Sequence, residues 1–173
     1  TDKTEAQFKE IIAAAKADGD SVGGIVETVA FGVPGGLGEP FFDSIESRLA
    51  ALFFSIPGVK GVEFGKGFPI SDMRGSAAND RLRIDDGCIV SATNRSGGIL
   101  GGISNGMPII ARLAIKPTPS IAKSQLSVDP DLMEEKMLTI KGRHDPCIVP
   151  RAVPVVESCM ALGLLDLIFE AGR

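Results

Sequence analysis

Three ionisable residues of different types follow one another at Arg143, His144 and Asp145. A guanidinium can hold an anion, an imidazole can take up a proton, and a carboxylate can orient a ring or act as a base. A structural role fits the same residues, because His144 could hydrogen-bond locally and Asp145 could cap a helix that begins shortly afterwards. The sequence therefore leaves this cluster open between proton chemistry and local structure.

A second segment of interest, Lys116–Ser120, combines a cation, two hydroxyls and two prolines. Lysine and arginine are common partners of phosphate and carboxylate, and proline holds its neighbours on a stiff backbone. Further cations stand in glycine-bearing loops at Arg74, Lys141 and Arg143. Any one of these charges could simply be solvated, but the pattern Lys-Pro-Thr-Pro-Ser predicts an anion clamp.

Glycine-rich loops accompany these cations, above all residues 94–106. Glycine lets a ligand approach the backbone closely. The spacing in Gly97–Gly102 does not match the dinucleotide fingerprint, and Gly65-Lys66-Gly67 does not match a phosphate-binding P-loop. The sequence thus predicts neither a Rossmann dehydrogenase nor a P-loop ATPase, and the loops are either turns or the lining of an anion site.

Cysteine and histidine are scarce, with three cysteines and one histidine in 173 residues. The cysteines form no CxxC pair, so neither a disulfide framework nor a zinc knuckle is predicted, and a reducing, cytoplasm-like compartment is expected. An acyl-transfer reaction that uses Cys147 and His144 would need a reactive thiolate. Packing as small apolar residues is the simpler interpretation of the cysteines.

Helical spacing of apolar residues predicts three helices to position these groups. The predicted helices are Thr4–Ala17, with Thr4 as N-cap and Asp18-Gly19-Asp20 as stop, then Pro40–Phe54 and Val149–Phe169. The predicted strands are Ser21–Val33, Val59–Phe64, Cys88–Ala92, Met107–Ile115 and Glu134–Ile140. Loops are expected over Gly65–Ile84 and Ile121–Leu132. Because helices and strands do not alternate strictly, the order favours an α+β sandwich, mostly antiparallel sheet packed against helices.

Composition supports one packed domain over residues 1–173, since 44% of the residues are apolar. The net charge of −4 argues against a nucleic-acid-binding surface, which would need a basic face. No run of about 18 apolar residues stands in the sequence, so a membrane-spanning helix is not expected.

Six segments of this chain, taken together and in order, resemble chorismate synthase. They are Gly19–Gly38, Ser55–Phe68, Arg74–Ser76, Ser96–Gly106, Lys116–Ile121 and Lys141–Val153. The segments extend over nearly the whole chain and resemble the C-terminal half of the family's sequence. The resemblance implies conversion of 5-enolpyruvylshikimate 3-phosphate to chorismate and phosphate by 1,4-anti elimination. It also implies reduced FMN as cofactor, a homotetramer, and a cytoplasmic location, with the plastid as the alternative.

The resemblance also assigns roles to particular residues. Flavin contacts are implied for Gly58, Gly101, Lys116, Thr118, Pro119, Ser120 and Arg143. Arg143 matches an arginine that lies beside both the flavin and the substrate anion. Asp145 matches an aspartate that assists deprotonation of the flavin at N5, and it is the catalytic residue implied here.

The family's two catalytic histidines belong to the half of the family sequence that this chain does not resemble, and His144 is not one of them. The same holds for arginines that hold the substrate. The resemblance therefore implies a portion of the enzyme that is inactive by itself. A non-catalytic flavin-binding or oligomerisation module is the alternative.

Overall fold

Helices, short hairpins and one central sheet follow one another along residues 2–172, which the computed structural model describes. The helices are α1 (Asp2–Ala17), α2 (Ile45–Ser55), α3 (Gly75–Ala78) and α4 (Val149–Ala171). The first strands are β1 (Gly24–Ala30), β2 (Val59–Phe64), β3 (Leu82–Asp85), β4 (Cys88–Ser91) and β5 (Ile99–Leu100). The remaining strands are β6 (Ile103–Ser104), β7 (Ile109–Ile115), β8 (Gln125–Asp129) and β9 (Glu134–Leu138).

The central sheet has three antiparallel strands in the order β1-β7-β2. Alternate residues of β7 point to opposite faces, as the two-residue period of a strand requires. Ile109, Leu113 and Ile115 are buried on one face, whereas Arg112 and Ala114 lie on the other. The predicted α+β class with an antiparallel sheet is confirmed.

Helices α2 and α4 cover the apolar face of this sheet. Helix α2 begins after Ser44, whose hydroxyl oxygen accepts a hydrogen bond from the amide of Ser47, a regular N-cap. Its buried residues Leu49 and Phe53 meet Val156 and Met160 of α4 in the core. This packing fixes the position of the loop that precedes α4.

Helix α4 is long and apolar enough, by length and composition, to cross a membrane. The sequence expectation rested on the lack of an uninterrupted apolar run. Helix α4 passes this wider test because its few polar residues are spread along the helix without breaking it. In this fold α4 packs on β1 and α2, as the core helix of a domain does. A single helix of this kind is weak evidence for a membrane span.

Helix α1 ends as the sequence predicts, at Asp18 and Gly19, where Gly19 has φ +67°. The predicted N-cap was wrong, because Thr4 lies inside the helix. Its apolar stripe is not buried: Phe8 is 61% exposed and Ile11 is 53% exposed.

Two predicted loops contain regular structure, and one predicted helix begins later. The segment Ile121–Leu132 contains β8, which pairs with β9, so the loop prediction was wrong there. Likewise Gly65–Ile84 contains a 3₁₀ turn, α3 and the start of β3. In Pro40–Phe54 a 3₁₀ turn at Phe41–Asp43 precedes α2, because the Ser44 cap defines a new helix start.

Candidate functional site

The pairing of β2 with β7 brings Gly58 to Lys116. Val59 lies opposite Ile115, so the residues just outside the paired strands are neighbours. The amide of Lys116 donates a hydrogen bond to the carbonyl oxygen of Gly58 over 2.9 Å. Two residues with predicted flavin contacts thus meet at one end of the central sheet.

The loop after β7 lies beside the loop that precedes α4. Ser120 Oγ is 3.2 Å from His144 Nδ1. The Ser21 hydroxyl donates to the carbonyl oxygen of Thr118 over 2.7 Å, and the amide of Val22 donates to that of Pro146 over 2.8 Å. The segment ahead of β1 therefore connects the two loops, so that Lys116, Thr118, Pro119, Ser120 and Arg143 share one region.

The electrostatics of this region favour an anion. Lys116 and Arg143 are exposed, and neither forms an ion pair with any carboxylate in the part of the chain that is described. Thr118 Oγ1 is buried and has no hydrogen-bond partner within residues 2–172. A buried polar atom without a partner is costly, so the hydroxyl suits a bound polar ligand. These groups fit the phosphate or the polar ring edge of a flavin.

Asp145 is held by two contacts. Its Oδ1 accepts from the amide of Cys147 over 3.1 Å, and its Oδ2 forms an ion pair with Arg151 of α4. The predicted cap was wrong, because the N-cap residue of α4 is Ile148. A carboxylate has about four lone-pair sites, so Asp145 keeps sites for a ligand.

His144 hydrogen-bonds locally, as one interpretation of the sequence predicted. Its Nε2 lies 2.9 Å from the carbonyl oxygen of Ile140, and its Nδ1 faces Ser120. No hydrogen bond joins Cys147 to His144 among the described residues. Cys147 instead lines an apolar cavity of about 470 Å³ between α1 and the start of α4. This arrangement gives no support to a cysteine nucleophile.

Gly101 lies at the other end of the central sheet. It belongs to the tight β5–β6 connection, where the carbonyl oxygen of neighbouring Gly102 accepts from the amide of Ile45 over 3.1 Å. That hairpin joins the start of β7, whereas Lys116 follows its end, and a seven-residue strand is about 20 Å long. Gly101 has φ +61° and open space at its α-carbon. The structure does not bring Gly101 into the group around Lys116.

A buried carboxylate that sequence reasoning did not single out stands at Asp80, which is 6% exposed. Its oxygens accept from Thr93 Oγ1 over 2.5 Å and from the amides of Arg95 and Ser96, each over 2.8 Å. Burial alone raises the pKa of Asp80, but the hydrogen bonds from Thr93, Arg95 and Ser96 outweigh it and lower that pKa below its ordinary value. Asp80 thus fixes the start of the glycine-rich loop. No local pattern indicates this burial, since Asp80 stands in a polar segment.

Metal binding finds no support in the part of the chain that the structure describes. There, no three His, Cys, Asp or Glu side chains lie close enough to hold an ion.

The fold and the site together define an α+β domain that gathers unpaired cations and hydroxyls at one end of an antiparallel sheet. Residues 1–169 match the family model of chorismate synthase, so the chain belongs to the chorismate synthase family. The resemblance found in the motifs is thereby confirmed.

Similar proteins support this assignment. The chain is 54% identical to the chorismate synthase of Methanobrevibacter smithii over 165 residues, which covers 95% of this chain and 45% of that protein. It is 58% identical to the chorismate synthase of Archaeoglobus fulgidus, over 90% of this chain and 43% of that protein. A crystal structure of chorismate synthase superposes with a TM-score of 0.79 at 32% identity, covering 98% of this chain and 44% of the other. The chain thus spans less than half the length of these relatives.

Proposed function

We propose that this chain is the FMN- and substrate-binding portion of a cytoplasmic chorismate synthase. The reaction is the 1,4-anti elimination of phosphate from 5-enolpyruvylshikimate 3-phosphate to give chorismate. Membership of the family supports the reaction class. The observation that carries the binding role is the buried Thr118 hydroxyl, which has no partner among the described residues and belongs to the same loop as the exposed cation Lys116.

Reduced FMN would be held by the loop Lys116–Ser120 together with Arg143 and Gly58. Lys116 would attract an anionic group, and Thr118 would supply a hydroxyl that otherwise stays buried without a partner. Pro119 would keep the two hydroxyls at a fixed spacing. Gly101 stays outside this proposed group, because it lies at the opposite end of β7, a strand about 20 Å long. When bound, reduced FMN supplies electron density that eases the loss of phosphate.

Arg143 would serve the substrate as well as the cofactor. Phosphate departure builds negative charge on the leaving oxygens, and a guanidinium beside them would stabilise that charge more than it stabilises the ground state. Its neighbour Asp145 would act as a base near the flavin, since Arg151 and the Cys147 amide already orient the carboxylate. Both proposed roles belong to residues of the loop that precedes α4.

Anaerobic titration of the 173-residue chain with reduced FMN tests this proposal. We expect saturable binding, and no chorismate from the chain alone when 5-enolpyruvylshikimate 3-phosphate is added. A folded chain that does not bind reduced FMN would overturn the binding role. Chorismate formation would support the family reaction and would show that Asp145 and the other residues present suffice for it.

A second candidate is a non-catalytic association module, and helix α4 favours it. Leu162 is 62% exposed, Phe169 is 63% exposed, and Leu165 is also exposed on the side away from the core. A helix that is apolar on both faces is normally covered on both. This outer face suits self-association, including the tetramer implied for the family.

Sedimentation over a range of concentrations tests the second candidate. We expect Leu162→Glu and Phe169→Glu together to reduce the mass of any assembly, because a charge on an apolar interface is costly. Glu157→Gln, on an exposed position of the same helix, is the matched control. A monomeric wild-type chain would reject the association role and leave the binding proposal standing.

A further inference from the structure

The hydrogen bonds of His144 define which of its ring nitrogens carries the proton. Nε2 lies 2.9 Å from the carbonyl oxygen of Ile140, and Nδ1 lies 3.2 Å from Ser120 Oγ. A carbonyl oxygen can only accept a hydrogen bond, so Nε2 must donate. A neutral imidazole has a single N–H, which leaves Nδ1 as a bare acceptor.

The direction of the Ser120 hydroxyl follows from this. Since Nδ1 has no hydrogen in the neutral ring, Ser120 must donate its proton to His144. The Ser120 oxygen then presents only lone pairs to anything bound on its other side. A serine without this partner could rotate its hydroxyl to donate or to accept.

The neighbouring groups have the opposite character. Lys116 lies four positions before Ser120, and Arg143 directly precedes His144; both are exposed donors that cannot accept. Ser120 is therefore an acceptor among donors. A ligand that satisfies all three groups carries a hydrogen-bond donor close to an anionic group.

We propose that His144 is a positioning residue that fixes Ser120 as an acceptor for an N–H or O–H donor of the bound ligand. In this proposal the Ser120–His144 pair favours a ligand that carries a donor, while anion binding depends on the cations. The choice of a flavin N–H as that donor rests on the proposed function.

Nitrogen NMR of the ligand-free chain tests the hydrogen-bond direction directly. His144 is the only histidine in the sequence, so a ¹⁵N-labelled sample has one imidazole to observe. At mildly alkaline pH we expect a proton on Nε2 and none on Nδ1. In Ser120→Ala the same tautomer should persist, held by Ile140, while the Nδ1 resonance shifts. A proton on Nδ1, or an Nδ1 resonance that Ser120→Ala leaves unmoved, would overturn the proposal.

Two substitutions of His144 distinguish a role in positioning the Ser120 hydroxyl from a general role in holding the fold. The amide oxygen of Asn in His144→Asn can stand near the Nδ1 position and still accept from Ser120. In His144→Gln the longer side chain reaches Ile140 instead and leaves Ser120 free to rotate. We expect His144→Gln to weaken reduced-FMN binding about tenfold and His144→Asn to recover most of that loss.

Inorganic phosphate is the control ligand, because it needs only the cations. Both variants should bind it as the wild type does. Equal loss of FMN binding in both variants would reject the positioning role. If the wild-type chain binds no FMN at all, the proposed function fails, and the NMR result still decides the direction of the Ser120 hydroxyl.

Discussion

Gly58 and Lys116 are joined across the end of the central sheet, where the Lys116 amide donates to the Gly58 carbonyl oxygen over 2.9 Å. Gly58 has φ +93°, a conformation that side chains other than glycine rarely adopt. The backbone of one residue with a predicted flavin contact thus holds the backbone of another. The backbone position of Lys116, which follows β7, therefore depends on the turn at Gly58, which precedes β2.

Gly58→Ala should therefore lower both stability and ligand affinity. An alanine held at this positive φ costs about 1–2 kcal/mol. The Cβ of that alanine would also lie 3.3 Å from Ile148 Cδ1. Thermal or urea unfolding measures the first effect, and FMN titration the second. Gly75→Ala is the control, because its Cβ meets open space in a helical turn and should cost nothing. Equal unfolding midpoints for Gly58→Ala and the wild type would contradict the strain argument.

Lys116→Gln should weaken reduced-FMN binding about tenfold at low salt, or about 1.4 kcal/mol. The reason is that Lys116 is an exposed cation without a carboxylate partner among the described residues, so its charge is available to a ligand. The difference from wild type should shrink as salt is added, because exposed charges are screened. Lys66→Gln, at an exposed position just beyond the far end of β2, removes an equal charge at the opposite end of the sheet. The same affinity for Lys116→Gln and Lys66→Gln would remove Lys116 from the site.

Much of the fold follows from local pattern, and the elements that escaped prediction show its limits. The strand Val59–Phe64 was predicted with its observed bounds, and α4 was predicted from its apolar spacing. The strand β8 was not, although Leu126 and Val128 alternate with polar residues. Five residues with one such alternation are too short a signal, and β8 gains its partner only through pairing with β9.

The candidate site likewise combines features that the sequence predicts with features that it does not predict. The residue types at Lys116–Ser120 predict an anion clamp, whereas those at Arg143–Asp145 leave proton chemistry and local structure both open. Their assembly depends on the register of β2 with β7 and on Ser21, which no local pattern encodes. Asp80 escaped notice because burial of a single carboxylate is a tertiary property. Sequence thus predicts the chemical groups better than it predicts their neighbours.

Asp80→Asn should destabilise the chain at neutral pH by about 1–3 kcal/mol. Asparagine offers one acceptor oxygen in place of two, so at least one of the donors at Thr93, Arg95 or Ser96 loses its partner. The control is Asp72→Asn, at an exposed carboxylate in a 3₁₀ turn, which should have little effect.

Lowering the pH should reduce the difference in the free energy of unfolding between the wild type and Asp80→Asn. The folded pKa of Asp80 lies below the ordinary value of 3.8, so the unfolded chain takes up the proton first as pH falls. The ionised Asp80 therefore contributes its whole stabilisation at pH values above that ordinary pKa. This contribution is lost as the pH falls through the pKa of the folded state. Urea unfolding of both chains from neutral pH to about pH 3 measures this. If the unfolding free energies of the two chains differ by the same amount across that pH range, the lowered pKa of Asp80 is contradicted.

Gly163 of α4 is the point at which α4 meets α2, and Gly163→Ala should destabilise the domain. A Cβ there would lie 2.6 Å from Leu49 Cδ2 and 2.8 Å from Leu52 Cδ1, closer than such atoms normally approach. Overpacking of this kind costs about 1–3 kcal/mol, whereas the better helix propensity of alanine returns about 1 kcal/mol. We therefore expect a net loss of about 1 kcal/mol in urea unfolding.

A double-mutant cycle with Leu49→Ala identifies the cause of that loss. Leu49 is fully buried, so Leu49→Ala alone should cost about 2–5 kcal/mol through the cavity it leaves. In the Gly163→Ala background that cavity gives the new methyl group room, and the methyl group fills part of it. The double variant should thus be more stable than the sum of the two losses implies, by about 1 kcal/mol or more. Strict additivity would mean that the glycine is needed for another reason than the close approach of α2 to α4.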